Sequence, residues 1–334
     1  MASFSQFGND LYTGKRSFDF VGKRKIWFTV AIIMVLAAIV VPFLRGGFVF
    51  GIEFRGGSEF TVEAPETLAD GSIDQSLATE AVQSVVPDAQ PRVSIVNNGE
   101  AVRVQTDVVT TEESNEIRDA LGTAYNADEV NTSLIGATWG ADITRQAITA
   151  LLVFIVLAAI IMSLYFRTWK MSVAAMIALF HDLIITAGIY GILGFEVTPA
   201  AVIGFLTILG YSLYDTVVVF DKIRENTNEG TSRTFGESVN LAVNQTLVRS
   251  INTSIVALLP IGSILFIGAV VLGAGTLRDI SLALFIGVLV GTYSTIFIAA
   301  PLYATFRQNE TIVRDADKKK TAATTSRTTS GAVR

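Results

Sequence analysis

The stretch GYSLYDTVVVFDKIREN, residues 210–226, settles what kind of chain this is. It prolongs an apolar run, AAVIGFLTIL (200–209), and places Asp215 before that run has ended. A helix needs roughly 20 residues to cross roughly 30 Å of hydrocarbon. Ala200 to Phe220 is that long, so it reads as a membrane span with a carboxylate inside it. A charge near mid-bilayer costs about 2.5–3.5 kcal/mol on insertion scales, so such a group normally faces protein or water and has a role.

Five further runs share that length and composition. They cover 26–44, 147–166, 171–193, 251–272 and 280–304. Half of the 334 residues are hydrophobic (51%) and only 16% are charged, as expected of a membrane protein. There is no cysteine and one histidine, so disulfides, thiolate chemistry and a His-rich metal centre are not expected. Gly-rich phosphate loops and HExxH metal motifs are missing, which argues against an enzyme and against a cofactor. The first run has basic flanks but exceeds a signal-peptide core, and reads as a retained anchor.

Loop charges predict the orientation. The N-terminal segment 1–25 carries Lys15, Arg16, Lys23, Arg24 and Lys25. The loop Arg167–Lys170 is basic, as are the loop after Phe220 and the tail 307–334. Phe195–Pro199 has no cation and the last outer turn only Arg278. Positive residues stay inside, so both termini are expected in the cytoplasm and segment 45–143 outside. The basic clusters are confined to termini and inner loops, which suits anionic lipid and not nucleic acid. The tail is low in complexity and is expected to be disordered. The loop 225–250 is amphipathic and is expected to lie on the inner membrane surface.

The outer segment alternates strand and helix signals. FVFGIEFRGGSEFTVEA, PRVSIVN, AVRVQTDV and EVNTSLIGAT read as strands. IDQSLATEAVQSVV and TTEESNEIRDALGTAY read as helices, the second with a capped start at Thr111, and Asn98-Gly99 as a hairpin turn. The βαββαβ order is the ferredoxin-like arrangement. The fold expected is a polytopic α-helical membrane protein: six transmembrane helices (26–44, then five within 144–306) with one extracytoplasmic α+β ferredoxin-like domain between helices 1 and 2.

Candidate residues cluster in the spans. Thr207, Tyr211 and Asp215 fall at i, i+4 and i+8 with Ser212 alongside, one polar stripe on an apolar cylinder. Asp215 is either a protonatable group on an ion path or a carboxylate that pins helix packing. His181 and Asp182 lie mid-span in the third helix, as a proton relay or as a packing pair. Arg249, Asn252 and Thr253 share a face at the start of the fifth. Arg249 either holds Asp215 ionised or snorkels to the headgroups. Gly188, Gly191 and Gly194, and Gly287 and Gly291, read as close-packing positions. Pro260 is expected to kink the fifth span.

GIEFRGG (51–57), YFRTW (165–169), ALFHD (178–182), GYSLYDTVVVFDKIREN, NQTLVRSINTS (244–254) and GTYSTIFIAAPL (291–302) resemble, in order, the signatures of the SecF family over about 18–306. Glu53 and Arg55 depart from the family's usual residues, both outside the membrane. The resemblance implies a resistance-nodulation-division superfamily fold. It implies a SecD partner and action with the SecYEG channel and the SecA motor on a translocating preprotein. It also implies that proton motive force drives export after SecA-driven insertion at a bacterial cytoplasmic membrane. Asp215 and Arg249 match the family's proton-transport positions, and Asp182 is a lesser candidate. The alternatives are a half-size lipid or drug exporter, a passive translocon scaffold, and a paired-aspartate intramembrane protease using Asp182 and Asp215.

Overall fold

A computed structural model of the chain describes residues 4–67, 72–96, 99–166, 168–228, 233–271, 275–311, 313–318 and 320. A short helix, α1 (Phe4–Tyr12), precedes the first long one, α2 (Arg24–Leu44). An α/β segment follows: β1 (Val49–Phe50), α3 (Ile52–Arg55), β2 (Gly57–Glu63), α4 (Gln75–Val85), β3 (Arg92–Val96), β4 (Ala101–Thr106), α5 (Thr111–Ala124) and β5 (Val130–Ile135). The chain then returns to long helices: α6 (Ala137–Phe166), α7 (Trp169–Leu193), the two-residue β6 (Glu196–Val197), α8 (Pro199–Asn228), α9 (Phe235–Ser263), α10 (Gly275–Ser294) and α11 (Ala300–Gln308). Two π-helical stretches, Ile264–Val271 and Thr295–Ala299, follow α9 and α10. Among the described residues, six helical stretches are long and apolar enough to cross a membrane, the last running from Leu277 to Gln308.

The α/β segment builds a four-stranded antiparallel sheet in the order β3-β4-β2-β5. Strand alternation sends Phe60 and Val62 to the face that meets Val82 of α4 and Ile117 and Leu121 of α5, all fully buried. The helix α5 is capped one residue earlier than the sequence suggests. Thr110, in extended backbone, accepts from the Glu113 amide at 3.2 Å, and the Glu113 carboxylate accepts from the Thr110 amide at 2.8 Å. Asn98 of the expected turn lies outside the described residues.

FVFGIEFRGGSEFTVEA is not one strand. Gly56 (φ 77°) and Gly57 (φ 149°) adopt backbone that favours glycine and part the short helix α3 from β2, while β1 stops at Gly51. The freed β1 pairs in parallel with β6, a segment that reads as a plain loop in sequence. Gly140 of α6 then locks α3 in place: a β-carbon there would sit 2.8 Å from the Phe54 carbonyl oxygen. The α/β segment is thus tied to the bundle at β6 and α6 as well as through the chain itself.

Within the bundle, α7, α8 and α10 form the interior, while α2 and α6 lie on its flanks. Small residues set the close approaches. A β-carbon on Gly188 would stand 2.6 Å from the Ala38 Cα of α2, and one on Gly287 would stand 2.8 Å from Ile208 Cγ2 of α8. Gly194 does something different: at φ 72° it ends α7 in the left-handed region. We expect Gly188→Ala to cost about 1–3 kcal/mol, the usual range for overpacking a filled contact. A lowered thermal midpoint in detergent checks this, with unchanged stability the contrary result.

Two segments differ from their sequence reading. Residues 235–250 do not lie as a separate surface helix; they form the first half of α9, continuous with the fifth span. Their apolar face is covered by the protein itself. Asn240 and Asn244 on this helix accept from the backbone amides of Phe18, Phe20 and Val21 at 2.7–3.2 Å, and Leu11 of α1 is fully buried. The start of the tail is likewise ordered: residues 313–318 are helical, Val313 is buried, and Asp317 accepts from the Phe235 amide at 2.8 Å. Residues 321–334 lie outside the described ones.

Candidate functional site

Among the described residues, two carboxylates are buried in the bundle interior, and they are held in different ways. Asp215 on α8 is 6% exposed. Its Oδ1 accepts from Ser250 Oγ of α9 at 3.0 Å. Its Oδ2 is buried without a hydrogen-bond partner among the described residues. Asp182 on α7 is 1% exposed and has polar partners at both oxygens. Ser212 Oγ of α8 and Ser294 Oγ of α10 both donate to its Oδ2, the latter at 2.8 Å, and His181 Nδ1 lies 3.1 Å from its Oδ1. Ser212 and Asp215 are three residues apart, so one turn of α8 serves both acids. Gly291 on α10 leaves the room this requires, since a β-carbon there would meet Ser212 at 3.1 Å.

The expected stripe on α8 does not hold as a stripe. Each i to i+4 step advances about 40° around a helix, so Thr207 and Asp215 stand about 80° apart. Thr207 faces outward and bonds its own helix at Ile203 O, Tyr211 is half-buried, and Asp215 is buried. Arg249, Asn252 and Thr253 share a face, but Arg249 and Asn252 face outward. Arg249 Nη2 lies 3.4 Å from the Tyr214 hydroxyl, and no ion pair joins it to Asp215 among the described residues. Thr253 bonds the α9 backbone at Arg249 and Ser250. The buried residues of α9 at this level are Ser250 and Ser254, one position further round.

Sequence reading overlooked those serines and their partners on the sixth span. Ser254 Oγ meets Thr292 Oγ1 at 2.5 Å, and Thr216 Oγ1 meets Thr295 Oγ1 at 2.9 Å. The signal was present: TYST (292–295) puts four polar residues in a row inside an apolar helix. The π-helical stretch begins at Thr295, beside this hydroxyl cluster. The Tyr211 hydroxyl, the Tyr293 hydroxyl and His181 Nε2 are further buried polar atoms without partners among the described residues. The arrangement can hold a proton on Asp215, where one oxygen is unopposed, and can fix three helices together at Asp182.

The family described as protein export membrane protein SecD/SecF, C-terminal, matches residues 116–309. A protein translocase subunit SecF from Streptomyces coelicolor is 44% identical over 93% of this chain and 82% of its own length. One from Mycobacterium tuberculosis is 41% identical over 92% of the chain and 71% of its own length. The chain is a SecF member of the SecD/SecF family. The crystal structure of SecDF from Thermus thermophilus superposes with a TM-score of 0.76 at 30% identity, covering 88% of this chain. The SecF-family chain spans 39% of that longer one. With its six apolar helices, it is a multi-pass membrane protein.

The junction between α/β domain and bundle in this SecF-family chain is strongly polar. Arg103 lies 3.6 Å from Glu59 and Arg92 lies 3.9 Å from Glu196 of β6. Gln105 donates to Glu59 at 2.9 Å, and Thr198 donates to Asp279 at 2.9 Å. Burial pushes the Glu53 carboxyl above its ordinary value of 4.5, and the carboxylates of Glu59, Glu196 and Asp279 push it further; its own backbone amide opposes them. A raised acid is stabilising when protonated, so the native state loses stability as pH rises from 4.5 through the folded-state value. Glu53→Gln is therefore expected to raise the thermal midpoint at neutral pH, and the gain is expected to vanish below pH 4.5. Melting curves over that pH range check both halves.

Proposed function

We propose that this chain is the SecF half of a SecD–SecF pair that couples proton flow to protein translocation across a bacterial cytoplasmic membrane. In this reading it acts beside the SecYEG channel after SecA has driven the preprotein's insertion. The observation that carries the coupling is Asp215, buried in the bundle with one oxygen bonded by Ser250 and the other unopposed. The unopposed oxygen is where a proton sits in the neutral state. Loss of that proton leaves a buried charge that only a rearrangement can compensate. Arg249 adjoins Ser250 in the chain and is the cation placed to answer it once α9 or a SecD helix has moved. Two packings of similar energy, biased by one proton, convert the gradient into movement. The membrane potential contributes about 2.3 kcal/mol per charge per 100 mV to that bias.

Asp182 takes a different part. Two serine hydroxyls from α8 and α10 donate to its Oδ2 and His181 Nδ1 sits against its Oδ1, so we assign it the part of a clasp joining α7, α8 and α10. Loop charges support cytoplasmic termini and an outer ferredoxin-like domain, whose strand order in the described residues suits that assignment. No enzymatic step is proposed, because ion flow supplies the energy. The half-size exporter and the passive scaffold are the competing readings. Co-reconstitution with a SecD-type partner and the translocation channel separates them: translocation that quickens with an imposed proton gradient supports coupling. Translocation indifferent to the gradient overturns it in favour of a scaffold.

A further inference from the structure

An apolar crevice of about 600 Å³ opens between α6, α7 and α8 at the end of the bundle nearest the α/β domain. Its walls are Ile148 and Leu151 of α6, Ala187 of α7 and Phe205 of α8, and Phe50 and Phe54 close its top. The one lining hydroxyl, Thr144, is spent on the backbone, donating to Gly140 O at 2.9 Å. Among the described residues, nothing lining the crevice's interior offers a free hydrogen-bonding group, so a polar or charged guest would lose its hydration without return. Its size is that of an ordinary ligand site.

At the mouth stands Arg55, the last residue of α3. It is exposed, and among the described residues its guanidinium has no ion pair and no hydrogen bond. The helices that form the crevice are membrane-spanning, so the hydrocarbon of the bilayer is what lies against its open side. The domain end of those helices is the level of lipid headgroups. An apolar slot with a single unpaired cation at headgroup height matches a molecule with a hydrocarbon tail and an anionic head. We propose that the crevice binds one anionic phospholipid of the surrounding bilayer, an acyl chain between α6, α7 and α8 and the phosphate on Arg55. The glycine hinge at Gly56 and Gly57 holds Arg55 over the opening, and Gly140 keeps that short helix against α6. The lipid would occupy the seam between domain and bundle, and its presence would tune how firmly the two are joined.

The proposal stands apart from proton coupling and is tested without any transport assay. The full chain, purified in mild detergent, is titrated with phosphatidylglycerol and with phosphatidylcholine and followed by native mass spectrometry. We expect one phosphatidylglycerol per chain to be retained in preference to phosphatidylcholine. Arg55→Gln should lower that preference about fivefold, the effect of one basic residue beside anionic lipid. Arg55→Lys should restore most of it. Ala187→Phe, which fills the slot, should remove retention of both lipids. Arg55 is exposed, so its variants keep the test meaningful even where the filled-crevice variant folds poorly. Equal retention of the two lipids by the parent chain, or a preference unchanged in Arg55→Gln, overturns the assignment. Displacement of the lipid by an added SecD-type partner would also overturn it, showing the crevice to be a helix-docking site instead.

Discussion

Asp215→Asn is expected to abolish the proton-driven part of translocation while leaving the protein folded and able to pair with its SecD-type partner. The substitution preserves shape. The asparagine carbonyl still accepts from Ser250 Oγ, as Asp215 Oδ1 does at 3.0 Å. Its amide group replaces Oδ2, which already lacks a partner among the described residues. What disappears is only the capacity to ionise. A neutral side chain in a 6%-exposed position also spares the bundle the desolvation of a carboxylate, so thermal stability should hold or rise slightly. Function and stability therefore move apart, which a merely structural carboxylate would not produce. The measurement pairs a melting curve with translocation in vesicles with and without an imposed gradient. Ser250→Ala should give a milder form, because Asp215 keeps its ionisable group and loses one bond worth about 0.5–1.5 kcal/mol. Gradient-dependent translocation at parental rate in Asp215→Asn would remove Asp215 from the coupling scheme altogether.

How much of this could be read in the chain beforehand depended on the range of the interaction concerned. The six spans were legible because apolar length is a local property; α7 and α2 begin within two residues of the sequence expectation. The helix α6 begins at Ala137, ten residues before its apolar run, because polar turns can prolong a helix beyond the membrane without any hydropathy signal. The order of strands and helices in the outer segment was equally local. The separation of β1 from β2 was not, since β1 finds its partner in β6, about 147 positions away by register (Val49 to Glu196). The burial of Asp215 followed from its place in an apolar run. Its partner did not, because Arg249 and Ser250 are neighbours in sequence and about 100° apart on a helix. Charge drew the reading to Arg249, while the rotation of α9, fixed by Phe235, Val239 and Leu247 packing inward, brought Ser250 to the acid instead. Arg249 keeps the role the family resemblance implies only in a second packing of the bundle. That a motor has such a second packing is the proposal above, and one sequence encodes both.

The second large effect concerns stability, and it separates the two buried acids. Asp182→Ala is expected to destabilise the bundle by about 3–5 kcal/mol, because it leaves several buried polar groups unsatisfied at about 1–3 kcal/mol each. Two hydroxyls from two other helices lose their acceptor at once, Ser212 Oγ of α8 and Ser294 Oγ of α10, and His181 Nδ1, the acid's own neighbour on α7, loses its partner. All four residues are less than 9% exposed, so water cannot take the acid's place without opening the interior. Asp182→Asn tells whether this is all the acid does. An asparagine carbonyl at the Oδ2 position accepts from both serines, and its amide donates to His181 Nδ1 when the neutral imidazole carries its proton on Nε2. The clasp is kept and the ionisable proton is gone. We expect that variant to melt close to the parent and to retain gradient-dependent translocation, in contrast to Asp215→Asn. A stable Asp182→Asn protein that has lost its response to the gradient would place Asp182 on the proton path beside Asp215, and the hydrogen bonds seen here would then describe only one stage of the cycle.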